Sequence, residues 1–322
     1  MKLATSSGDF VKYVDSVPVA VELFGGTKFR NVNLELGTLF KRGGRYVIPA
    51  AGDPLLEEDA WKRQAEALAL AAERAGVTYT TAHSPILNAL AGGQEMYDWS
   101  VKAIRDSIKI CAALGIERIV VHACENRRFT CSDFYRENKR FYGEFFDLME
   151  QHGISVLTEN MADGTCTPLS TGRDVRDFTD YVDHPLFAAC WDTAHGNLNR
   201  KARDEGQYAN IVAIGDKLKG LHIADNFGDG PHHHTWPFAG IINFDAVLQG
   251  LLDVNYDGVF TFEASYTLLH HKELPYHRQA WEHSGGTVTK LLDPPVALKQ
   301  KAVDLLYDVG KSMLEAYGCF EA

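Results

Sequence analysis

No apolar run in this sequence reaches the roughly 20 residues that a membrane-spanning helix needs. The first ten residues, MKLATSSGDF, also lack the apolar core of a signal peptide. Neither secretion nor membrane insertion is therefore expected. Positive charge is in short supply: 32 Lys and Arg stand against 43 Asp and Glu, a formal net charge of -11. Phosphate backbones are gripped by basic faces, so nucleic acid is not an expected partner, and an acidic surface also repels anionic membranes. The six cysteines, at 111, 124, 131, 166, 190 and 319, form no CxxC pair. Reduced thiols in a cytoplasm fit that spacing best. Cys124, near a strand end, reads as small buried filler ahead of a reactive thiol. No GxGxxG follows the first apolar run, which leaves dinucleotide binding without support.

What the chain does have is an ordinary globular balance, 45% hydrophobic and 23% charged, and 322 residues over which to repeat one rhythm. Short apolar runs alternate with amphipathic helical patterns. KLATSS, PVAVELF, VTYTTAH (77–83), ERIVVH (117–122), ISVLTE (154–159), LFAACWD (186–192), KGLHIAD (219–225) and GVFTFE (258–263) read as eight strands. Between them, Tyr97, Val101, Ile104, Ile108 and Cys111 mark one helix, and Phe134, Phe141, Phe145 and Leu148 another. EEDAWKRQAEALALAAERAG ends at Gly76, a helix-stop residue. Leu298, Ala302, Leu305, Val309 and Met313 mark a last helix over about 296–317. Strands alternating with helices imply a parallel sheet with right-handed crossovers. Eight such units predict an α/β chain folded as a single (β/α)8 TIM barrel over 1–322, with an extended loop or lid, 266–295, after strand 8.

The polar residues then fall at strand ends. Glu22, His83, His122, Glu159, Asp192, His222 and Glu263 close or enter the second to eighth runs. In a parallel barrel these ends share one rim, where active sites sit. Ionisable groups gathered there must be paired or must bind a cation, because each loses its water. Glu159, Asp192, His222 and Glu263 offer three carboxylates and one imidazole without a thiolate. That set suits Mn2+ first, with Mg2+, Co2+ or Zn2+ as the other candidates. The bland alternative is a barrel mouth filled with hydrogen-bonded polar groups.

The segments VLTENMADG, WDTAHGN, LHIADN…HHHTWPFAG and FTFEAS resemble the xylose isomerase-like barrel superfamily, over roughly 20–265. That superfamily holds sugar-phosphate isomerases and epimerases, ketose 3-epimerases, inosose dehydratases and endonuclease IV. The resemblance implies Glu159, Asp192, His222 and Glu263 as metal ligands and His195 as a substrate contact. It further implies Glu159 and Glu263 as an acid/base pair that moves a proton α to a carbonyl through an enediolate. The endonuclease IV branch binds three metals. This chain offers His83, His122, Glu159, Asp192, His195, His222, His234 and Glu263 at the corresponding motifs. His232, however, stands where that branch has Asp, and ACEN (123–126) replaces its NPG. The ketose 3-epimerases' substrate Arg and Glu are replaced by Gly228 and Thr165.

Function is expected to be metal-dependent isomerisation or epimerisation of a small, sugar-like substrate. The alternative is a dehydratase or lyase acting on a 3-oxo sugar or C-glycoside by the same enolisation, and an endonuclease IV-like hydrolase stands behind both. His83, His122, His195, His234 and Trp236 are expected to touch substrate, although Trp236 and Phe238, the two aromatics on that loop, read equally as residues that pin it down. Arg127, Arg128 and Arg200 read as solvated arginines ahead of anion contacts. His270, His271, His277 and His283 lie in the 266–295 segment, which could be a lid or subunit contact. A homo-oligomer, or an assembly with a partner subunit, is expected.

Overall fold

The computed structural model describes residues 1–42, 44–126, 128–162, 168–230, 232–272 and 278–322. Arg127, Thr165, Cys166 and His277, singled out above, lie outside the described residues. Eight parallel strands form one sheet: β1 (Leu3–Ser6), β2 (Asn31–Glu35), β3 (Thr78–His83), β4 (Arg118–Val120), β5 (Ser155–Glu159), β6 (Phe187–Asp192), β7 (Leu218–His222) and β8 (Phe260–Phe262). Their order runs β7-β6-β5-β4-β3-β2-β1-β8. The ring closes where the Ile223 amide donates to the Thr261 carbonyl at 2.8 Å and the Glu263 amide to the Ile223 carbonyl at 3.1 Å. Helices follow the strands, as a (β/α)8 barrel requires. Among the described residues no helix is long and apolar enough to cross a membrane.

Inside the ring the two-residue period of each strand stacks an apolar floor under a polar rim. Val120, Leu157, Ala188 and Cys190 form a small buried cluster separate from the main core. Two residues further on, the same strand faces carry His122, Glu159 and Asp192. Gly220, two residues before His222, leaves space for this floor: a Cβ there would come within 2.6 Å of Leu157 Cδ1. The Cys190 thiol, pushed up to about 12 by burial, is inert filler, and the buried Cys124 thiol is likewise pushed up to about 12.

Three elements differ from the sequence pattern. PVAVELF is not a strand: Val17–Glu22 is a helix, with Ser16 before it and Pro18 in its first turn. Val17, Ala20, Val21 and Phe24 are buried at helical spacing, and Glu22 pairs with Arg74 at 2.9 Å, away from the barrel mouth. The second strand is Asn31–Glu35, so Glu35 occupies the rim position expected of Glu22. In the last helix, Val296–Ala316, the buried face is Lys299, Val303, Leu306, Gly310, Met313 and Leu314. Leu298 and Leu305 are half-exposed instead, so the inward stripe is shifted by one residue. The Phe134–Leu148 pattern also divides, into helices Cys131–Gly143 and Phe146–His152.

Lys299 explains that shift. Its Nζ donates to the carbonyls of Ser265 at 3.0 Å and Thr267 at 2.8 Å, and lies 3.3 Å from Asp9 Oδ1. Both charged side chains are 2% exposed, and Thr5 Oγ1 donates to the other Asp9 oxygen at 2.8 Å. The ammonium therefore fastens the chain leaving β8 to the last helix. Lys299→Met should lower the unfolding free energy by about 3–5 kcal/mol, because it strands a buried carboxylate. Urea unfolding of Lys299→Met beside Lys299→Met/Asp9→Asn checks this; the double variant should recover part of the loss. Beyond Thr267, the described part of the 266–295 segment carries an antiparallel hairpin, β9 (Trp281–His283) and β10 (Gly286–Val288), whose residues are all exposed.

Candidate metal centre and active site

Register gathers the rim. Asp192 pairs with His222, Glu159 with Cys190, and Glu35 with His83. His222 Nδ1 lies 2.9 Å from both Glu159 Oε1 and Glu263 Oε2. One donor atom from each of Glu159, Asp192, His222 and Glu263 lies within 4.8 Å of the others. Asp192 Oδ1 accepts the His195 amide at 2.6 Å, while Oδ2 is buried without a hydrogen-bond partner. A buried carboxylate oxygen costs free energy unless something positive meets it. Three carboxylates, one imidazole and an orphaned oxygen pointing among them fit a divalent ion of the Mn2+ or Zn2+ kind.

Two further groups share this mouth. His83, His122 and Glu159 converge, with His122 Nε2 at 3.0 Å from Glu159 Oε2 and His83 Nε2 at 3.1 Å from His122 Nε2. His195, His232 and His234 form the other, His234 Nε2 lying 3.0 Å from His232 Nε2. The imidazoles are aimed by backbone carbonyls: His83 Nδ1 by Ser84, His195 Nδ1 by Asn160 and His234 Nδ1 by Glu263, at 2.8, 2.8 and 2.9 Å. A ring nitrogen fixed on a carbonyl carries the proton and leaves the other nitrogen free to ligate.

Electrostatics follow from this crowding. Burial opposes ionisation of Glu159, but the charge of His222 and hydrogen bonds from His122, His222 and His83 outweigh it and hold its carboxyl well below the usual range. Burial likewise opposes ionisation of Glu263, and His222 again overrides it. Against its own burial, Glu35 and Glu159 lift His83 to about 9. His222 is raised well above its ordinary value, despite burial, by the surrounding negative groups. His232 is pushed down to about 3 by burial and by His195 and His234. His195 is also raised, against its burial, by Asp192 and Glu159. The positive charge of the cluster thus rests on His83, His195 and His222, of which His222 would give up its proton to a cation.

A cavity of about 450 Å³ opens over these groups. Of the predicted substrate contacts, His83, His122, His195 and His234 line it, together with Glu159 and Glu263. Trp236 does not: it packs half-buried against the hydrophobic core. Phe238 is 72% exposed, Arg128 is exposed, and Arg200 pairs with Asp204 at 3.8 Å, all away from the cavity among its described lining residues.

Three residues escaped the sequence reading. Glu35 ends β2, takes the Asn33 side-chain amide at 3.2 Å, and has its carboxyl pushed up by burial. Asn160 bridges strand exits, donating to the Asp192 carbonyl at 2.9 Å and accepting the Asp192 amide at 2.7 Å. Asp225 closes the long loop after β7 by accepting the amides of Asn226, Gly240 and Ile242 at 2.8, 2.9 and 3.0 Å. A period-two reading of NVNLE would have found Glu35. No local pattern marks Asn160 or Asp225, whose partners are up to 32 residues away.

A family model described as xylose isomerase-like TIM barrel matches residues 42–283. A ketose 3-epimerase of Arthrobacter globiformis is 24% identical over 39% of this chain and 40% of its own length. A probable endonuclease 4 of Citrifermentans bemidjiense is 26% identical over 47% of this chain and 56% of its own. The chain spans between 40% and 62% of the length of the curated relatives it matches. Among solved structures, a D-psicose 3-epimerase of Clostridium cellulolyticum H10 with D-tagatose superposes over 98% of this chain and 99% of its own, with a TM-score of 0.69. At 14% identity, that likeness is one of fold.

Proposed function

The chain belongs to the xylose isomerase-like TIM barrel family, and from that premise we propose that it is a divalent-metal-dependent isomerase or epimerase of a sugar or sugar derivative. The observation that carries this reading is the placement of Glu159 and Glu263, each 2.9 Å from one nitrogen of His222, beside the unpartnered oxygen of Asp192. Glu159, Asp192, His222 and Glu263 would hold the ion, with Mn2+ the first candidate. When bound, it supplies a Lewis acid that stabilises an oxyanion next to the reacting carbon. Glu263, 26% exposed and open to the cavity, takes the proton from the carbon α to the carbonyl. Glu159, walled in by His122 and His222, is ionised at rest. The proton it returns to the enediolate first reaches it from His83, whose Nε2 lies 3.6 Å from Glu159 Oε2, and solvent restores both glutamates and His83 after turnover. His195, His83, His122 and His234 line the cavity at positions suited to substrate hydroxyls.

The ketose 3-epimerase relative supports this reading. One observation favours a second: the groups His83–His122–Glu159 and His195–His232–His234 would let the same mouth hold three ions for phosphodiester hydrolysis, and a probable endonuclease 4 is among the relatives. No Lys or Arg stands among the described lining residues to meet a phosphate backbone, which disfavours it.

Elemental analysis of the purified protein, paired with turnover of free ketoses in D2O, separates these readings. The isomerase reading expects about one ion per chain that is lost in Glu159→Gln/Glu263→Gln, and deuterium at the carbon α to the carbonyl. Product of unchanged composition apart from the exchanged deuterium marks isomerisation, and loss of water or an aglycone marks the dehydratase or lyase alternative. Three ions per chain with nicking of abasic-site DNA would replace this proposal by the hydrolase.

A further inference from the structure

A second set of donors lies outside the barrel mouth and shares no residue with it. His270 and His271 stand near the start of the segment after β8, and Asp293 near its end. His270 Nε2 is 3.3 Å and His271 Nδ1 2.6 Å from the same oxygen, Asp293 Oδ2. One donor atom from each of the three lies within 4.8 Å of the others. We propose that His270, His271 and Asp293 form a binding site for a divalent transition-metal ion such as Zn2+, which pins the two ends of the segment together.

The surroundings hold the donors in place. The His271 amide donates to Asp293 Oδ1 at 2.6 Å, fixing the carboxylate and leaving Oδ2 toward the two rings. The Lys272 amide donates to His270 Nδ1 at 3.3 Å, so Nε2 is the nitrogen aimed at Asp293. Tyr13 packs edge-on to the His270 ring at 5.3 Å, and Lys272 pairs with Asp15 at 2.9 Å, seating the cluster on helix Gly8–Val14 and the residue after it. The three side chains are 11%, 29% and 28% exposed, so an ion can enter from water without a buried path.

Two imidazoles and one carboxylate suit borderline ions and not the all-oxygen preferences of Mg2+ or Ca2+. Water would complete a tetrahedral set. Protons on His270 Nε2 and His271 Nδ1 now bridge to Asp293, and binding would release them to solvent. The Arg278 guanidinium, 3.9 Å from Asp293 Oδ1, opposes a cation and sets the affinity lower than the donors alone would give.

The consequence is mechanical. Between His271 and Asp293 lies the β9–β10 hairpin, whose three-residue strands bury nothing. A two-stranded hairpin without a packed face is marginal in water. A metal cross-link at its base would supply the constraint that a core would otherwise give. It would act four residues from Tyr266, which lines the catalytic cavity.

The test uses the full chain. After chelator treatment, the protein is dialysed against Zn2+ and its bound zinc measured. Wild type should hold one more zinc per chain than His271→Ala and than Asp293→Asn. The extra ion should persist in Glu159→Gln/Glu263→Gln, whose alterations are confined to the barrel mouth. Protease cleavage within 278–292 gives an independent readout, because it tracks the open population when opening is fast. At free Zn2+ about 100 times Kd, cleavage of wild type should slow about a hundredfold, with no change in the two variants. Equal zinc content in wild type and both variants, or equal cleavage with and without Zn2+, overturns the proposal.

Discussion

Glu263→Gln should lower kcat by about a thousandfold, within the 10²–10⁴ range that a positioned general base contributes. The amide keeps the shape of the carboxyl and one acceptor oxygen, but it cannot take a proton from carbon. Glu263 also lines the cavity and is one of the four proposed ligands, so the loss in kcat is read at saturating metal. Solvent deuterium should no longer enter substrate recovered from partial turnover. Glu159→Gln should cost more, because this side chain holds two imidazoles, where Glu263 meets one. Its two oxygens accept from His122 at 3.0 Å and His222 at 2.9 Å, so the amide also disturbs both imidazoles. Metal content should fall in both variants, and further in Glu159→Gln. Steady-state kinetics on both variants, beside their metal content, apportion the two effects. Unchanged turnover in Glu263→Gln would remove the two-base mechanism, whichever substrate is used.

Much of this site was readable because parallel strands leave their signature at their ends. VTYTTAH, ISVLTE and LFAACWD each end in an ionisable residue directly after an apolar run, and the barrel brings those ends together. The second strand failed for a physical reason. Val17, Val19 and Val21 alternate as a strand would, yet the helix that forms there buries Val17, Ala20, Val21 and Phe24. The true strand, NVNLE, carries two asparagines, which strands ordinarily avoid. Asn33 is tolerated inside because Thr81 donates to it at 2.8 Å and it donates to Glu35. Local propensity was set aside here by a buried polar network that supports the rim, and such conflicts concentrate at functional sites. Lys299 misled in the same way: a lysine counts as outward in any periodic reading, and its inward position is fixed by Asp9 and two carbonyls of distant segments. Trp236 sits on the loop that delivers His234, but its ring turned to the core, a choice that side-chain packing makes and sequence spacing does not record.

Asp192→Asn should uncouple the protein's stability from its metal. An ion that binds only the folded chain adds RT ln(1 + [L]/Kd), about 4 kcal/mol at a free concentration 1,000 times Kd. For a chain of this size that is about 8 °C in Tm, at about 2 °C per kcal/mol. Asp192 Oδ2 is buried without a hydrogen-bond partner, its nearest imidazole nitrogen being His234 Nδ1 at 3.9 Å. An amide nitrogen in its place therefore offers the ion a donor hydrogen where it needs a lone pair. Loss of a direct ligand should cost at least the hundredfold in affinity seen for the partners that merely orient ligands. At the same free ion the stabilisation then falls to about 1.4 kcal/mol, and the shift in Tm to about 3 °C or less. Oδ1 would still accept the His195 amide, so the metal-free fold should survive the substitution. Thermal unfolding of both chains, with chelator and with Mn2+, measures the four corners of this cycle. An equal metal-induced shift in wild type and Asp192→Asn would mean that the ion sits elsewhere, and the cluster would have to be stabilised by its own protonated imidazoles alone.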